Sequence, residues 1–180
     1  AYGLEHRFEA GDEIAISALE HHANLLPWQQ LARRRNLRLV ILPLDAFGHI
    51  DLNQALQMIG PRTRVLAVSQ LSNVLGTWQP LPALLSHARA QGALTVVDGA
   101  QGVVHGRHDV QQLGCDFYVF SSHKLYGPDG VACCTATLGR WSCCAIGSSV
   151  ARWCNWPSTR APAFAPHRWG SRQVRRQSPG

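Results

Sequence analysis

Five short, almost continuously apolar segments alternate with helical patterns, and this alternation constrains the fold more than any other feature of the chain. The segments have the β-branched and apolar composition of strands, and they are EIAIS (13–17), LRLVILPL (37–44), RVLAVSQL (64–71), ALTVVDGA (93–100) and DFYVFSS (116–122). Continuous hydrophobicity is typical of parallel strands that are covered on both sides. The sequence therefore predicts an α/β protein with a mostly parallel sheet and helices on both faces.

Helical patterns occupy the intervals between these strands, at about residues 23–35, 51–59, 80–91 and 109–113. Asp51 and Asp109 are predicted N-caps, because a carboxylate accepts hydrogen bonds from the free amides of the first helical turn. Pro82 suits an early helical position, and Gly92 suits the residue that follows a helix.

The composition changes abruptly near residue 133. Residues 1–129 contain ten Lys and Arg and eleven Asp and Glu, a balance of −1, whereas residues 130–180 contain seven Arg and no acid, a balance of +7. Five of the six cysteines and four of the six tryptophans also lie in this last part. The net charge of +6 therefore belongs to the tail, and it does not by itself indicate a polyanion partner.

The chain has no pattern for membrane insertion or export. It contains no run of eighteen apolar residues, and its beginning has neither an initiator Met nor a signal-peptide pattern. We therefore expect a cytoplasmic protein without a membrane partner, and we expect these residues to come from the middle of a longer chain.

Polar clusters follow three of the predicted strands, namely SNVLGT (72–77), DGAQ (98–101) and SSHK (121–124). Ligands of open α/β sheets bind beyond the carboxyl ends of the strands, so we expect these clusters to share one crevice. Asn73 and Thr77 belong to the first cluster.

Lys124 is the single lysine in a chain with sixteen arginines. A lysine can lose its proton and act as a nucleophile, whereas an arginine cannot. Together with Asp98 at the end of a buried strand, this amine suits pyridoxal 5'-phosphate (PLP): the lysine forms a Schiff base, and the acid pairs with the protonated pyridine nitrogen. Ser121 and His123 could bind the cofactor phosphate, and Gln101 could reach the ring hydroxyl.

Each of these residues also has a simpler interpretation. A lone lysine on a loop is usually a solvated charge, and an aspartate at a strand end is often a cap. The histidine pairs His21–His22 and His105–His108 could bind a metal, but neighbouring histidines point in different directions and no third ligand is evident. We therefore predict no metal site.

Four motifs resemble, in order and spacing, the group II cysteine desulfurases, which are class V aminotransferase-like, fold-type-I PLP enzymes. The motifs are EHHANLLPW (20–28), LSNVLGT (71–77), VVDGAQ (96–101) and DFYVFSSHKLYGP (116–128), and the resemblance covers residues 3–132. The roles that it implies are Lys124 as the Schiff-base lysine, Asp98 at the pyridine nitrogen, Gln101 at the ring oxygen, Ser121 and His123 at the phosphate, His21 stacked on the ring, and Asn73 near the substrate carboxylate and the ring hydroxyl. Lys124 and His21 are the implied catalytic residues.

The resemblance also implies an activity and partners. The family reaction takes sulfur from L-cysteine and leaves L-alanine and a persulfide on an enzyme cysteine. A sulfur-acceptor protein, a homodimer and a place in sulfur metabolism and iron–sulfur cluster assembly are expected for the intact enzyme. A related PLP-dependent lyase or racemase of the same superfamily is the alternative.

Several parts of the family's machinery are expected outside the region of resemblance. The Gly-Thr-Thr phosphate loop of the family lies upstream of residue 1, and the persulfide cysteine and the carboxylate-binding arginine lie further downstream. None of the tail's cysteines or arginines occupies a matching motif. We therefore predict a partial PLP-binding large domain at residues 1–132, inactive as this chain stands, and a non-homologous, disordered tail at residues 133–180.

The genetic code offers an explanation for the tail. The stretch ACCTATLGRW, back-translated from Ala132 and read two bases later, permits Val/Leu-Leu-Tyr-Gly-Asn, and the family's next strand resembles VLYG. We therefore interpret the tail as the right gene read in the wrong frame. The alternative is a non-enzymatic Cys/Arg-rich module that binds zinc or nucleic acid, but its cysteine spacing matches no standard zinc pattern and its arginines lack regular aromatic interleaving.

Overall fold

The computed structural model describes residues 1–107 and 109–136. In this part of the chain six strands form one sheet, and they are β1 (Glu13–Ser17), β2 (Arg38–Leu42), β3 (Thr63–Ser69), β4 (Leu94–Asp98), β5 (Phe117–Ser121) and β6 (Ala132–Ala136). The strand order is β2-β1-β3-β4-β5-β6. The first five strands are parallel to their neighbours, and β6 runs antiparallel to β5. The predicted mostly parallel α/β sheet is confirmed.

The helices are α1 (His22–Arg35), α2 (Leu52–Met58), α3 (Leu81–Ala90), α4 (Gly102–His105) and α5 (Val110–Leu113). Two 3₁₀ turns are also present, at Tyr2–Arg7 and Ser122–Leu125. The short helix α4 was not predicted, because four residues are too few to show a helical period. Among the described helices, none combines the length and the apolar character that crossing a membrane requires.

The predicted helix boundaries are confirmed by their caps. The carboxylate of Asp51 accepts a hydrogen bond from the amide of Gln54 at 3.1 Å, and that of Asp109 accepts from the amides of the first turn of α5. Pro82 lies in the first turn of α3, and Gly92, just after this helix, has a φ of +82°.

Both faces of the sheet are covered, as the continuous hydrophobicity of the strands predicts. Leu66 and Val68 of β3 belong to a buried cluster that includes Leu84 of α3. Val65 of the same strand points to the opposite face, where a second cluster includes Leu31 of α1. All five side chains are completely buried. The alternation of side chains along β3 therefore divides the core into two layers.

Strand β6 differs from the sequence-based prediction, in which an irregular tail began at residue 133. Residues 132–136 instead pair with all of β5, from Ser121 opposite Ala132 to Phe117 opposite Ala136. The ladder is made of backbone groups, so it does not need a family-like sequence, and Cys133 acts as a small buried apolar residue. The prediction of a disordered tail for residues 137–180 lies outside the described residues.

Candidate functional site

Four neighbouring strand ends carry the predicted site residues. Strands β1, β3, β4 and β5 are adjacent and parallel, so their carboxyl ends lie at one edge of the sheet, which we call the carboxyl edge. The predicted residues at this edge are His21 after β1, Asn73 after β3, Asp98 and Gln101 at and after β4, and Ser121, His123 and Lys124 at and after β5. The structure thus places all seven at the edge where ligands of such sheets bind.

Asp98 lies at the centre of this edge. It is paired with Ser69 of β3 on one side and with Val119 of β5 on the other. Its Oδ1 accepts a hydrogen bond from the amide of Ala100 at 2.9 Å, and within the described residues its Oδ2 accepts none. The half-buried carboxylate therefore keeps one oxygen available for a ligand.

A buried polar pair supports the turn that follows Asp98. The hydroxyl of Tyr118 donates a hydrogen bond of 2.7 Å to Oε1 of Gln70. A Cβ at Gly99 would overlap the Tyr118 ring, and a Cβ at Gly102 would overlap the Gln70 side chain. Burial raises the pKa of Tyr118 well above its usual value of 10.0, so its hydroxyl stays protonated and remains a donor.

Lys124 lies in the 3₁₀ turn that follows β5, and this turn is anchored from below. The hydroxyl of the buried Ser122 lies within hydrogen-bonding distance of the carbonyl oxygens of Pro128 and Val131. Gly127 passes so close that an added Cβ would be 3.0 Å from the carbonyl oxygen of Ser122. The backbone that carries the half-buried Lys124 is therefore held by the loop at residues 127–131.

The two residues predicted at the phosphate differ in their surroundings. Ser121 is half-buried at the end of β5. His123 is exposed, and its Nδ1 is 4.0 Å from Oδ1 of Asp129, whose side chain is fully solvated. This pair is too long and too exposed to fix the imidazole, so the phosphate role of both residues stays a prediction.

His21 is the N-cap of α1. Its Nδ1 accepts a hydrogen bond from the amide of Ala23 at 3.1 Å, and the residue is exposed at the carboxyl edge. The preceding residue, Glu20, makes four hydrogen bonds to three different elements. Sequence reasoning missed Glu20, because its place in the EHHAN motif gives no sign of what its carboxylate contacts.

The two residues predicted in the turn after β3 differ in their contacts. Asn73 is exposed at the carboxyl edge, in a turn where the Ser72 hydroxyl oxygen accepts the amide of Leu75 at 3.1 Å. The hydroxyl of Thr77 donates to the carbonyl oxygen of Gly48, in the loop after β2, at 3.0 Å. Thr77 therefore joins two loops.

Within residues 1–107 and 109–136, no group of three His, Cys, Asp or Glu side chains could hold a metal ion. The rings of His21 and His22 are tilted relative to each other, with centroids 6.2 Å apart. The second histidine pair includes His108, which lies outside the described residues.

A cavity of about 600 Å³ lies between α3 and α5, away from the carboxyl edge. Its lining includes Arg89, Gly92 and Ala93, which precede β4, and none of the seven predicted site residues. The Arg89 guanidinium donates to the carbonyl oxygen of Gly114 at 2.8 Å, so its charge is directed at the protein's own backbone. The seven predicted site residues lie at the carboxyl edge and not in this cavity, and we assign no ligand to it.

Comparison with known proteins places the chain in a family. Residues 1–151 match the family described as Aminotransferase class-V, and the chain belongs to this family. A Pseudomonas putida protein named "Probable cysteine desulfurase" is 90% identical over 131 residues, which are 73% of this chain and 33% of that protein. The chain thus spans about a third of the length of the curated relatives it matches.

Solved structures agree with this placement. The cysteine desulfurase CsdA from Escherichia coli superimposes with a TM-score of 0.68 at 47% identity, over 70% of this chain and 32% of that one. A lysine-to-alanine mutant of C-DES, with glycine covalently linked to its PLP cofactor, superimposes with a TM-score of 0.70 at 25% identity, over 79% of this chain and 38% of that one. The resemblance read from the four sequence motifs is therefore confirmed at the level of the family.

Proposed function

We propose that this chain is the central PLP-binding part of a cysteine desulfurase, an enzyme that takes sulfur from L-cysteine and leaves L-alanine. The observation that carries the proposal is the position of Asp98 and Lys124 at the ends of adjacent parallel strands. A carboxylate and an amine on one edge are the two groups that PLP chemistry requires. The names of the relatives support the choice of cysteine as substrate.

The residues at the carboxyl edge fit this cofactor. The Asp98 carboxylate has an oxygen without a hydrogen bond from the described residues, and a protonated pyridine nitrogen is a donor of matching charge. Gly99 and Gly102 let the turn at residues 98–102 pack directly against Tyr118 and Gln70. This packing fixes the position of Asp98 and Gln101 relative to the sheet.

Bound PLP supplies an electron-poor ring that accepts negative charge from a substrate carbon. In this proposal the chain's own residues bind and orient. Asp98 keeps a proton on the pyridine nitrogen, Lys124 supplies the amine that holds the cofactor covalently, and His21 covers the ring. Ser121 and His123 bind the phosphate, and Gln101 and Asn73 bind polar groups of the ring and the substrate.

The cysteine that receives the sulfur is not Cys115. Burial raises the pKa of this thiol from 9.0 to about 11, so it stays protonated and is a poor nucleophile. The other two described cysteines, Cys133 and Cys134, lie in the edge strand β6. We therefore place the sulfur-accepting cysteine outside the described residues.

The sulfur-acceptor protein, the homodimer and the cytoplasmic location are also part of the proposal, and they rest on the relatives' function alone.

Covalent capture of PLP tests the proposal. The full chain is mixed with PLP, reduced with borohydride and mapped by peptide mass spectrometry, and we expect the reduced adduct on Lys124. Since Lys124 is the only lysine of the sequence, no other lysine side chain can carry the adduct. Lys124→Arg keeps the charge but should lose the adduct.

A reduced adduct found only at positions other than Lys124 would contradict the assignment of Lys124. A non-enzymatic Cys/Arg-rich binding protein would give no adduct at Lys124 and would leave the absorbance band of free PLP unchanged.

A further inference from the structure

The carboxylate of Glu20 joins three elements at the carboxyl edge. Its Oε1 accepts hydrogen bonds from the hydroxyl of Ser17 at 2.6 Å and from the amide of Ser69 at 2.9 Å. Its Oε2 accepts from Nδ2 of Asn24 at 2.7 Å and from the hydroxyl of Ser69 at 2.6 Å. Ser17 ends β1, Asn24 lies in the first turn of α1, and Ser69 ends β3.

These bonds connect His21 with Asp98. His21 follows Glu20 directly and caps α1. On the other side of the carboxylate, Ser69 is the residue paired with Asp98 across β3 and β4. A chain of adjacent groups therefore runs from His21 through Glu20 and Ser69 to Asp98.

The cap also selects one form of the His21 ring. Its Nδ1 accepts the amide of Ala23, and an accepting nitrogen carries no proton. The neutral ring must then carry its proton on Nε2. This selection depends on the position of the first turn of α1, which Glu20 holds through Asn24.

We propose that Glu20 is a positioning residue that holds the His21 imidazole in the Nε2–H form and at a set place relative to Asp98. The inference rests on the proposed function, in which His21 covers the cofactor ring and Asp98 binds the nitrogen of the same ring. A carboxylate is suited to this task because all four of its partners donate, and because the N-terminus of α1 favours a negative charge.

An amide at position 20 cannot make the same four bonds. In Glu20→Gln the amide nitrogen would face either the backbone N–H of Ser69 or the Nδ2 of Asn24. Asn24 cannot rotate freely to accept, because its Oδ1 already accepts from Nε1 of Trp28 at 3.1 Å. The substitution therefore brings two donors together and loosens the turn between β1 and α1.

The test reads the His21 ring directly. Nitrogen-detected NMR of the full chain without cofactor distinguishes the two ring nitrogens, and the His21 signal is assigned by its loss in His21→Gln. We expect one Nε2–H form in the wild type and an averaged mixture in Glu20→Gln. Glu9→Gln is the matched control, because the side chain of Glu9 is exposed and makes no bond to the described residues, and it should leave the His21 signal unchanged.

Rescue separates positioning from general loss of structure. In Glu20→Gln combined with Asn24→Asp, the new amide at position 20 donates to the new carboxylate at position 24, which still accepts from Trp28. This double variant should restore the single Nε2–H form. If Glu20→Gln does not fold, Ser69→Ala serves instead: it removes one of the four bonds and should speed amide exchange at Ala23 by about threefold, since a single lost bond loosens the turn only partly.

PLP affinity supplies a second readout, and we expect binding to weaken by about tenfold in Glu20→Gln, by analogy with other residues that orient a binding group. A single unchanged Nε2–H signal in Glu20→Gln, or unchanged exchange at Ala23 in Ser69→Ala, overturns the inference. If the ring signals respond as expected while neither the wild type nor any variant binds PLP at Lys124, the positioning role stands and the proposed function fails.

Discussion

The hydroxyl of Tyr118 and Oε1 of Gln70 are joined by a hydrogen bond of 2.7 Å beneath the turn that carries Asp98 and Gln101. Both side chains are buried; Tyr118 lies in β5 and Gln70 directly follows β3, and these two strands flank β4. Their contact with glycines of the turn leaves no room for a side chain there. The position of the candidate site relative to the sheet is thus fixed by the packing of this turn against Tyr118 and Gln70.

Gly99→Ala should lower the free energy of unfolding by about 1–3 kcal/mol, because the added methyl group overlaps the ring of Tyr118 and a packed interior adjusts only partly. Chemical denaturation monitored by circular dichroism measures the change. Gly60→Ala is the matched control, since a Cβ there meets no atom within 4 Å, and it should change stability by less than about 0.5 kcal/mol. Equal effects of the two substitutions would contradict the packing argument.

Alkaline pH should destabilise the fold through Cys115. Burial and the neighbouring carboxylate of Asp116 raise the pKa of this thiol from 9.0 to about 11 in the folded state. The unfolded state therefore loses the proton first. The free energy of unfolding keeps its full value below pH 9 and falls as the pH rises toward 11. The free energy of unfolding should fall by at most about 1.4 kcal/mol per pH unit from this group.

Denaturation of Cys115→Ala across the same pH range checks this origin. The variant should decline less steeply between pH 9 and pH 11 than the wild type. A remaining decline above pH 10 is expected from Tyr118, whose pKa burial also raises from 10.0. Identical slopes for the two proteins would show that Cys115 is not responsible.

Asp98→Asn should preserve the fold and remove the charge that the proposed cofactor requires. An asparagine Oδ1 can still accept the amide of Ala100, so the turn is kept. In an enzyme of the relatives' length that contains this segment, alanine formation from L-cysteine should fall on the order of a hundredfold or more, as expected for loss of an electrostatic partner. Asp51→Asn, which replaces one good N-cap by another, is the control and should have normal turnover. Near-normal turnover of Asp98→Asn would argue against its role.

The reading frame of the tail is directly testable. Sequencing the DNA across codons 130–136 should reveal an insertion or deletion of one or two bases relative to the gene of the 90% identical relative. With the frame restored, translation after Val131 should continue with a strand similar to VLYG. An unbroken frame that matches no relative beyond residue 132 would instead favour a genuine Cys/Arg-rich module.

The positions of β1 to β5, the two-sided core and the capping aspartates could be predicted from the sequence. Apolar runs and short-range capping bonds are local properties, so neighbouring residues along the chain are sufficient to indicate them. The candidate site was predicted in the same local way, as polar clusters after strands and as motifs in a family-like order. Neither kind of reasoning required knowing which strands are neighbours.

The sheet order was decided by tertiary structure, because β3 inserts between β1 and β4. This order brings Glu20 to Ser69, 49 residues away along the chain, and Tyr118 to Gln70, 48 residues away. Hydrophobic periodicity determines which face a side chain occupies, but it does not identify the partner that a polar side chain meets across strands. Edge strand β6 was also decided by tertiary structure. Its backbone pairs with β5, and this pairing does not require the family-like strand motif that residues 132–136 lack.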